Sequence, residues 1–203
     1  MKEFIFEKEA SLTNEYCDYL IEFFEKNKEI QGAGELGIDG KKETDGNVVT
    51  DVKRTVDITI PNNSNESSEF FPIHNLLINE LVETIKEYYT MLDPTSDVYR
   101  LHLIHKKLCV KGFLMTKYFM NEGFFKLHND FFIDENRYRV FNFIWYLNDI
   151  SEGGRTIFFD GSSIHPKKGK LVLFPSDWFF SHKGEMPLSS DKYIITGWVY
   201  NEK

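Results

Sequence analysis

Two short stretches of the sequence hold side chains that could do chemistry together. "FFKLHNDFF" carries His128 and Asp130, and "FFSHKGEMPLSSDKYIITGWV" carries His182. On an extended strand alternate side chains share a face, so His128 and Asp130 project together while Asn129 points away. Polar groups set in so apolar a run require partners: a metal, a substrate or another side chain. With His182 added, the set is two imidazoles and one carboxylate. That facial triad suits Fe(II) and leaves further coordination positions open for chemistry. The same donors serve zinc in hydrolases, so the triad alone does not choose the metal.

The residues after His182 narrow the choice. Lys192, Ile194, Thr196 and Trp198 recur at strand spacing and face one way if "KYIITGWV" is extended. A cation flanked by a hydroxyl and an indole on an apolar wall is an anion-binding arrangement. A lysine buried without a counter-charge tends to lose its proton, and a bound carboxylate removes that penalty. The pattern therefore expects a dicarboxylic acid, one end on the metal and the other on Lys192.

These residues need a scaffold, and the hydrophobic periodicity supplies one. "EFIFE" reads as a short strand. A helix runs from Ser11 or Thr13 to about Lys28, with Cys17, Leu20, Ile21 and Phe24 on one face. Gln31 to Val52 is Gly-rich and charged, a candidate lid over the site or a solvated hairpin. "VKRTVDITI" reads as a strand, "NNSNESS" as a turn, and Phe70 to Met91 as a second helix striped by Leu77, Leu81, Ile85 and Tyr88. Short strand-like runs follow, from "CVKGFLMTKYF" to "YIITGWVY", punctuated by "NEG", "SEGG", "FDGSS" and "KKGK". Helices followed by many short strands indicate an α+β fold with a sandwich or barrel in the second half. The expected organisation is one domain, residues 1–95 forming a support region and 96–203 the catalytic core.

Composition excludes some classes. The 203 residues carry a net charge of −8, which argues against a nucleic-acid partner tracking phosphates. Cys17 and Cys109 are too few for a disulfide framework. No apolar run reaches the ~20 residues of a membrane span, and none reads as a signal peptide. The expectation is a cytoplasmic protein with no membrane partner. His102, His105 and His165 stand apart from the triad and read as surface or loop residues.

The last ~90 residues resemble the Fe(II)- and 2-oxoglutarate-dependent dioxygenases, in their prolyl 4-hydroxylase-like branch. The resemblance rests on H-x-D, "YLND" followed by "EGGRT", "KGKLVLFP", and the spacing from His182 through Lys192 to Trp198. It implies a double-stranded β-helix, or jelly roll of the cupin type, with helices packed on one sheet. It implies Fe(II) on His128, Asp130 and His182, with 2-oxoglutarate and O2 as cosubstrates and ascorbate as an accessory reductant. By the same resemblance Lys192 holds the distal carboxylate, Tyr118, Thr156 and Trp198 line the cosubstrate pocket, and Arg139 contacts a peptide. Phe125 stands where such enzymes often have a tyrosine, and Tyr200 where some have a histidine. The implied substrate is a proline-containing peptide or protein. Alternatives are the same chemistry on another side chain or small molecule, a nucleic-acid demethylase, and a non-catalytic jelly-roll binding module.

Overall fold

A computed structural model describes residues 2–34, 51–62, 66–92 and 108–202. Helix α1 (Asn14–Lys26) begins where the Thr13 hydroxyl accepts the Tyr16 amide at 3.2 Å, satisfying a first-turn donor. Its buried stripe is Cys17, Leu20, Phe23 and Phe24. Ile21 is only half-buried at the edge of that stripe, because Phe23, one turn on from Leu20, takes the inner place. Helix α2 (Phe70–Leu92) buries Leu77, Leu81, Ile85 and Tyr88 as its periodicity predicts.

The strands are β1 (Phe6–Lys8), β2 (Gly32–Ala33), β3 (Lys53–Arg54), β4 (Val56–Pro61), β5 (Leu108–Val110), β6 (Gly112–Tyr118), β7 (Phe124–His128), β8 (Arg137–Tyr146), β9 (Thr156–Phe158), β10 (Ser163–Ile164), β11 (Leu171–Pro175), β12 (His182–Gly184) and β13 (Lys192–Glu202). The larger sheet runs β1-β11-β8-β13-β6-β4-β2, with β5 also on β13; the smaller runs β10-β9-β12-β7-β3. The two sheets face each other as a double-stranded β-helix. Strands β1 and β4, from the first 95 residues, hydrogen-bond into the larger sheet beside the later ones.

Period-2 alternation divides the larger sheet between two cores. Phe141, Phe143 and Trp145 of β8, Leu171 and Leu173 of β11, and Phe113 and Met115 of β6 pack beneath the helices. Ile144 and Tyr146, Val172 and Phe174, and Tyr118 point the other way, into the space between the sheets. Each such side chain contributes about 1.5–3 kcal/mol by leaving water. The helices cover one face, and the site is built on the other.

Two runs that read as single strands are divided. "VKRTVDITI" breaks at Thr55, where the chain passes from the smaller sheet (β3) to the larger (β4). "CVKGFLMTKYF" breaks at Lys111, before Gly112 at φ 146, a conformation closed to residues with a Cβ. Most of the candidate lid Gln31–Val52 lies outside the described residues, as do His102 and His105. His165 is exposed between elements. No helix among the described residues is long and apolar enough to cross a membrane.

Candidate active site

The two histidines are brought side by side by strand pairing. On the antiparallel pair β7–β12, His182 stands opposite His128. Their rings lie 4.4 Å apart between centroids. Asp130 does not share the strand with His128, as the alternation argument requires. Strand β7 ends at His128 because Asn129 turns the chain. The Asn129 carbonyl oxygen accepts the Phe131 amide at 2.7 Å, and its amide donates to the Asp177 carbonyl and the Ser181 hydroxyl, each at 3.1 Å. That tie to the turn before His182 folds Asp130 back, so Asn129 still points away from the pair.

Atoms from His128, Asp130 and His182 lie within 4.8 Å of one another. The Asp130 Oδ2 is 3.9 Å from the His128 Nε2 and 3.7 Å from the His182 Nε2. Each imidazole spends its other nitrogen on a backbone carbonyl: His128 Nδ1 to Lys126 at 2.8 Å, His182 Nδ1 to Phe180 at 3.0 Å. A carbonyl only accepts, so both Nδ1 atoms carry the proton and both Nε2 lone pairs are left for a ligand. Burial, reinforced by the neighbouring His182, pushes His128 down to about 4 and keeps it neutral. The Phe125 ring stacks on His128 at 3.6 Å and 12° and fixes its plane. Two imidazoles and a carboxylate converging on one point are a donor set that fits a divalent metal.

Lys192 lies in the same cavity, 1% exposed. Burial pushes its ammonium down to about 7, with Glu185 acting weakly the other way. Its Nζ donates to the Gly154 carbonyl at 2.9 Å and lies 3.9 Å from the centroid of the Tyr118 ring, its partner across β13–β6. The sequence motifs explain this placement. Gly153 and Gly154 of "EGG" take φ of 69 and 67, and a Cβ on Gly154 would meet Ile150 at 2.9 Å. Asn148 of "YLND" donates to the Asp191 carbonyl at 2.8 Å and accepts the Tyr193 amide at 2.9 Å, bracketing Lys192. Arg155 grips Glu185 through two bonds, at 2.7 and 2.8 Å, fastening the glycine turn beyond β12.

Thr156 and Trp198 also line this cavity. The Thr156 hydroxyl pairs with the Tyr146 hydroxyl at 2.6 Å. Tyr146 was not singled out by sequence, because in "FNFIWYLND" it reads as one more core aromatic. Its position on the inward face of β8, opposite Ile194, was the available signal. Lys53 was missed too: it is buried at the cavity wall and paired with Asp57 at 2.7 Å. Arg139 is buried on the Trp198 ring, 3.8 Å from its centroid. It donates to the Tyr200 hydroxyl at 3.3 Å, and its Nη1 is 3.9 Å from Asp130. Strict alternation from Phe141 would aim Arg139 at the helices. A β-bulge reverses it: Val199 pairs Phe141 but Tyr200 pairs Arg139, leaving Val140 unpaired.

A family model described as the 2OG-Fe(II) oxygenase superfamily matches residues 113–200, the stretch that holds the triad and Lys192. That stretch is similar to this superfamily. The chain is 34% identical over 70 residues to prolyl 4-hydroxylase subunit alpha-1 of Gallus gallus. That match covers 30% of the chain and 14% of the relative, so the chain spans a small part of that protein's length. In fold it is similar to a viral collagen prolyl hydroxylase of Paramecium Bursaria Chlorella virus-1, solved with 2OG (TM-score 0.65, 16% identity, 97% and 96% of the two chains). It is also similar to a Pseudomonas putida prolyl-4-hydroxylase (TM-score 0.61, 15% identity, 96% and 91%). A Trichoplax adhaerens prolyl hydroxylase, solved with a hypoxia inducible factor peptide, matches with a TM-score of 0.62 at 12% identity over 98% and 84%.

Proposed function

We propose that this protein is a 2OG-Fe(II) oxygenase that hydroxylates peptidyl proline, with Fe(II) on His128, Asp130 and His182 and with 2-oxoglutarate and O2 as cosubstrates. The observation that carries the reading is one cavity holding the His128–Asp130–His182 triad and a buried lysine that has no salt-bridge partner among the described residues. When bound, iron and 2-oxoglutarate supply the oxidation: one atom of O2 ends in succinate with loss of CO2, the other in the new hydroxyl. The chain supplies the rest. His128 and His182 present lone pairs fixed by their carbonyl contacts. Lys192 neutralises the distal carboxylate where water is scarce, with the Tyr118 ring beneath it. Tyr146, hydrogen-bonded to Thr156, closes the same end. Burial holds the Tyr118 and Tyr146 hydroxyls protonated, so both can donate. Arg139 steadies Asp130 and Trp198 and lies toward the substrate. The whole chain acts as one catalytic domain, and ascorbate serves as an accessory reductant.

A peptide substrate is supported by the surroundings of the triad. Phe131 follows Asp130, and Trp178 and Phe179 precede His182 on a short turn. Trp178 is 67% exposed and its ring lies 5.4 Å from that of Phe131. Exposed aromatic groups this close to a site suit an apolar, extended, proline-containing chain. The test is incubation with Fe(II), 2-oxoglutarate and a panel of proline peptides. The expected result is succinate formed in step with a peptide mass gain of one oxygen atom. Succinate without peptide oxidation across the panel would leave the cosubstrate and remove proline as the target.

A further inference from the structure

The cavity wall includes a buried hydroxyl that makes no hydrogen bond among the described residues. Thr116 lies on the inward face of β6, between Leu114 and Tyr118, and lines the cavity with them. It is 1% exposed, and its hydroxyl has no hydrogen-bond partner among the described residues. Its neighbour across β4–β6 is Asp57, whose carboxylate already accepts from the Lys53 ammonium at 2.7 Å and the Thr55 hydroxyl at 3.1 Å. Across β6–β13 it faces Ile194, which offers nothing polar from its side chain. A buried hydroxyl without a partner destabilises the protein, whereas valine fits the same space without that cost. A ligand in the cavity would give this hydroxyl a partner.

We propose that the Thr116 hydroxyl is a contact for the oxo-acid end of 2-oxoglutarate; the inference rests on the cosubstrate reading above. Strand geometry chooses the end. Lys192 pairs with Tyr118, and Ile194 with Thr116, so Thr116 stands one side-chain level along the sheet from the distal-carboxylate grip. One level is two residues, about 7 Å. A five-carbon diacid has four C–C bonds of about 1.5 Å each and extends over a similar distance. With one carboxylate on Lys192, its other end reaches the level of Thr116. There the hydroxyl donates to the carboxylate or oxo oxygen.

The experiment is calorimetric titration of 2-oxoglutarate into the Fe(II)-loaded protein without oxygen, for wild type, Thr116→Val and Thr116→Ser. A hydrogen bond to a charged acceptor predicts roughly tenfold weaker binding, or more, in the valine variant. The serine variant should stay near wild type. Thermal melting of the ligand-free valine variant should be unchanged or higher, because a buried unsatisfied group has gone; a purely structural threonine would lower it. Butyrate, which offers only a carboxylate for Lys192, should bind wild type and valine variant alike. Wild-type affinity for 2-oxoglutarate in Thr116→Val overturns the contact alone, and an equal loss for butyrate overturns its placement. A wild-type protein that binds no 2-oxoglutarate overturns the cosubstrate reading and the contact together.

Discussion

Lys192 is the residue on which the chemistry turns. Removing one partner of a buried charge pair costs roughly 3–5 kcal/mol, so Lys192→Ala should weaken 2-oxoglutarate binding by about 100-fold or more. Lys192→Arg should recover only part of it, since a planar fork does not fit a place shaped for an ammonium. The pH dependence has a definite sign. With the free-protein value pushed down to about 7, Lys192 is increasingly neutral above that pH. A bound carboxylate favours the charged form, so binding takes up a proton. Affinity should fall by up to about tenfold per pH unit above 7, with proton uptake rising in parallel. Calorimetry in buffers of different ionisation enthalpy measures both. Affinity that is flat between pH 7 and 9 would contradict the assigned role. His128 carries the opposite lesson for acid conditions. Its depressed value means the native state resists protonation while the unfolded chain accepts it. Stability should therefore decline as pH falls from about 6.5 toward 4.

Among the elements, the glycine turn between β8 and β9 places the carbonyl that Lys192 bonds. Gly154→Ala imposes a Cβ at φ 67 and a 2.9 Å approach to Ile150. It should lower stability by about 1–2 kcal/mol and weaken 2-oxoglutarate binding, with metal affinity unchanged. Denaturant melts and the two titrations separate these effects; equal loss of metal binding would mean that the turn supports the whole pocket. This turn was legible in the sequence because glycine names its own conformation. The inward face of β13 was legible from alternation alone. Three features were not. The bulge at Val140 leaves no compositional trace, so the direction of Arg139 could not be read from spacing. The break at Thr55 separates strands of different sheets inside one unbroken apolar pattern. The Asn129 turn that ends β7 depends on partners 48 and 52 residues away.

For the molecule as a whole, the helices pack on one face of the larger sheet and the candidate site lies on the other. The α+β class followed from helices preceding many short strands and the jelly roll from the family resemblance, but the merging of β1 and β4 into the larger sheet needed long-range pairing to see. The exposed aromatics beside the triad give a test on this scale. Trp178→Ala should raise the KM for a proline peptide several-fold, within the range of about 1–2 kcal/mol for an interface aromatic, and leave 2-oxoglutarate affinity intact. An unchanged peptide KM would move substrate recognition elsewhere. The central claim is that His128, Asp130, His182 and Lys192 form one site for iron and a dicarboxylate. Its most direct test is addition of 2-oxoglutarate to the Fe(II) protein without oxygen, followed by visible absorbance. Wild type should develop a saturable metal-to-ligand band. Asp130→Ala and His182→Ala should show none, and Lys192→Ala should show it only at far higher concentration. A full band in the triad variants, or none in wild type, would contradict the account.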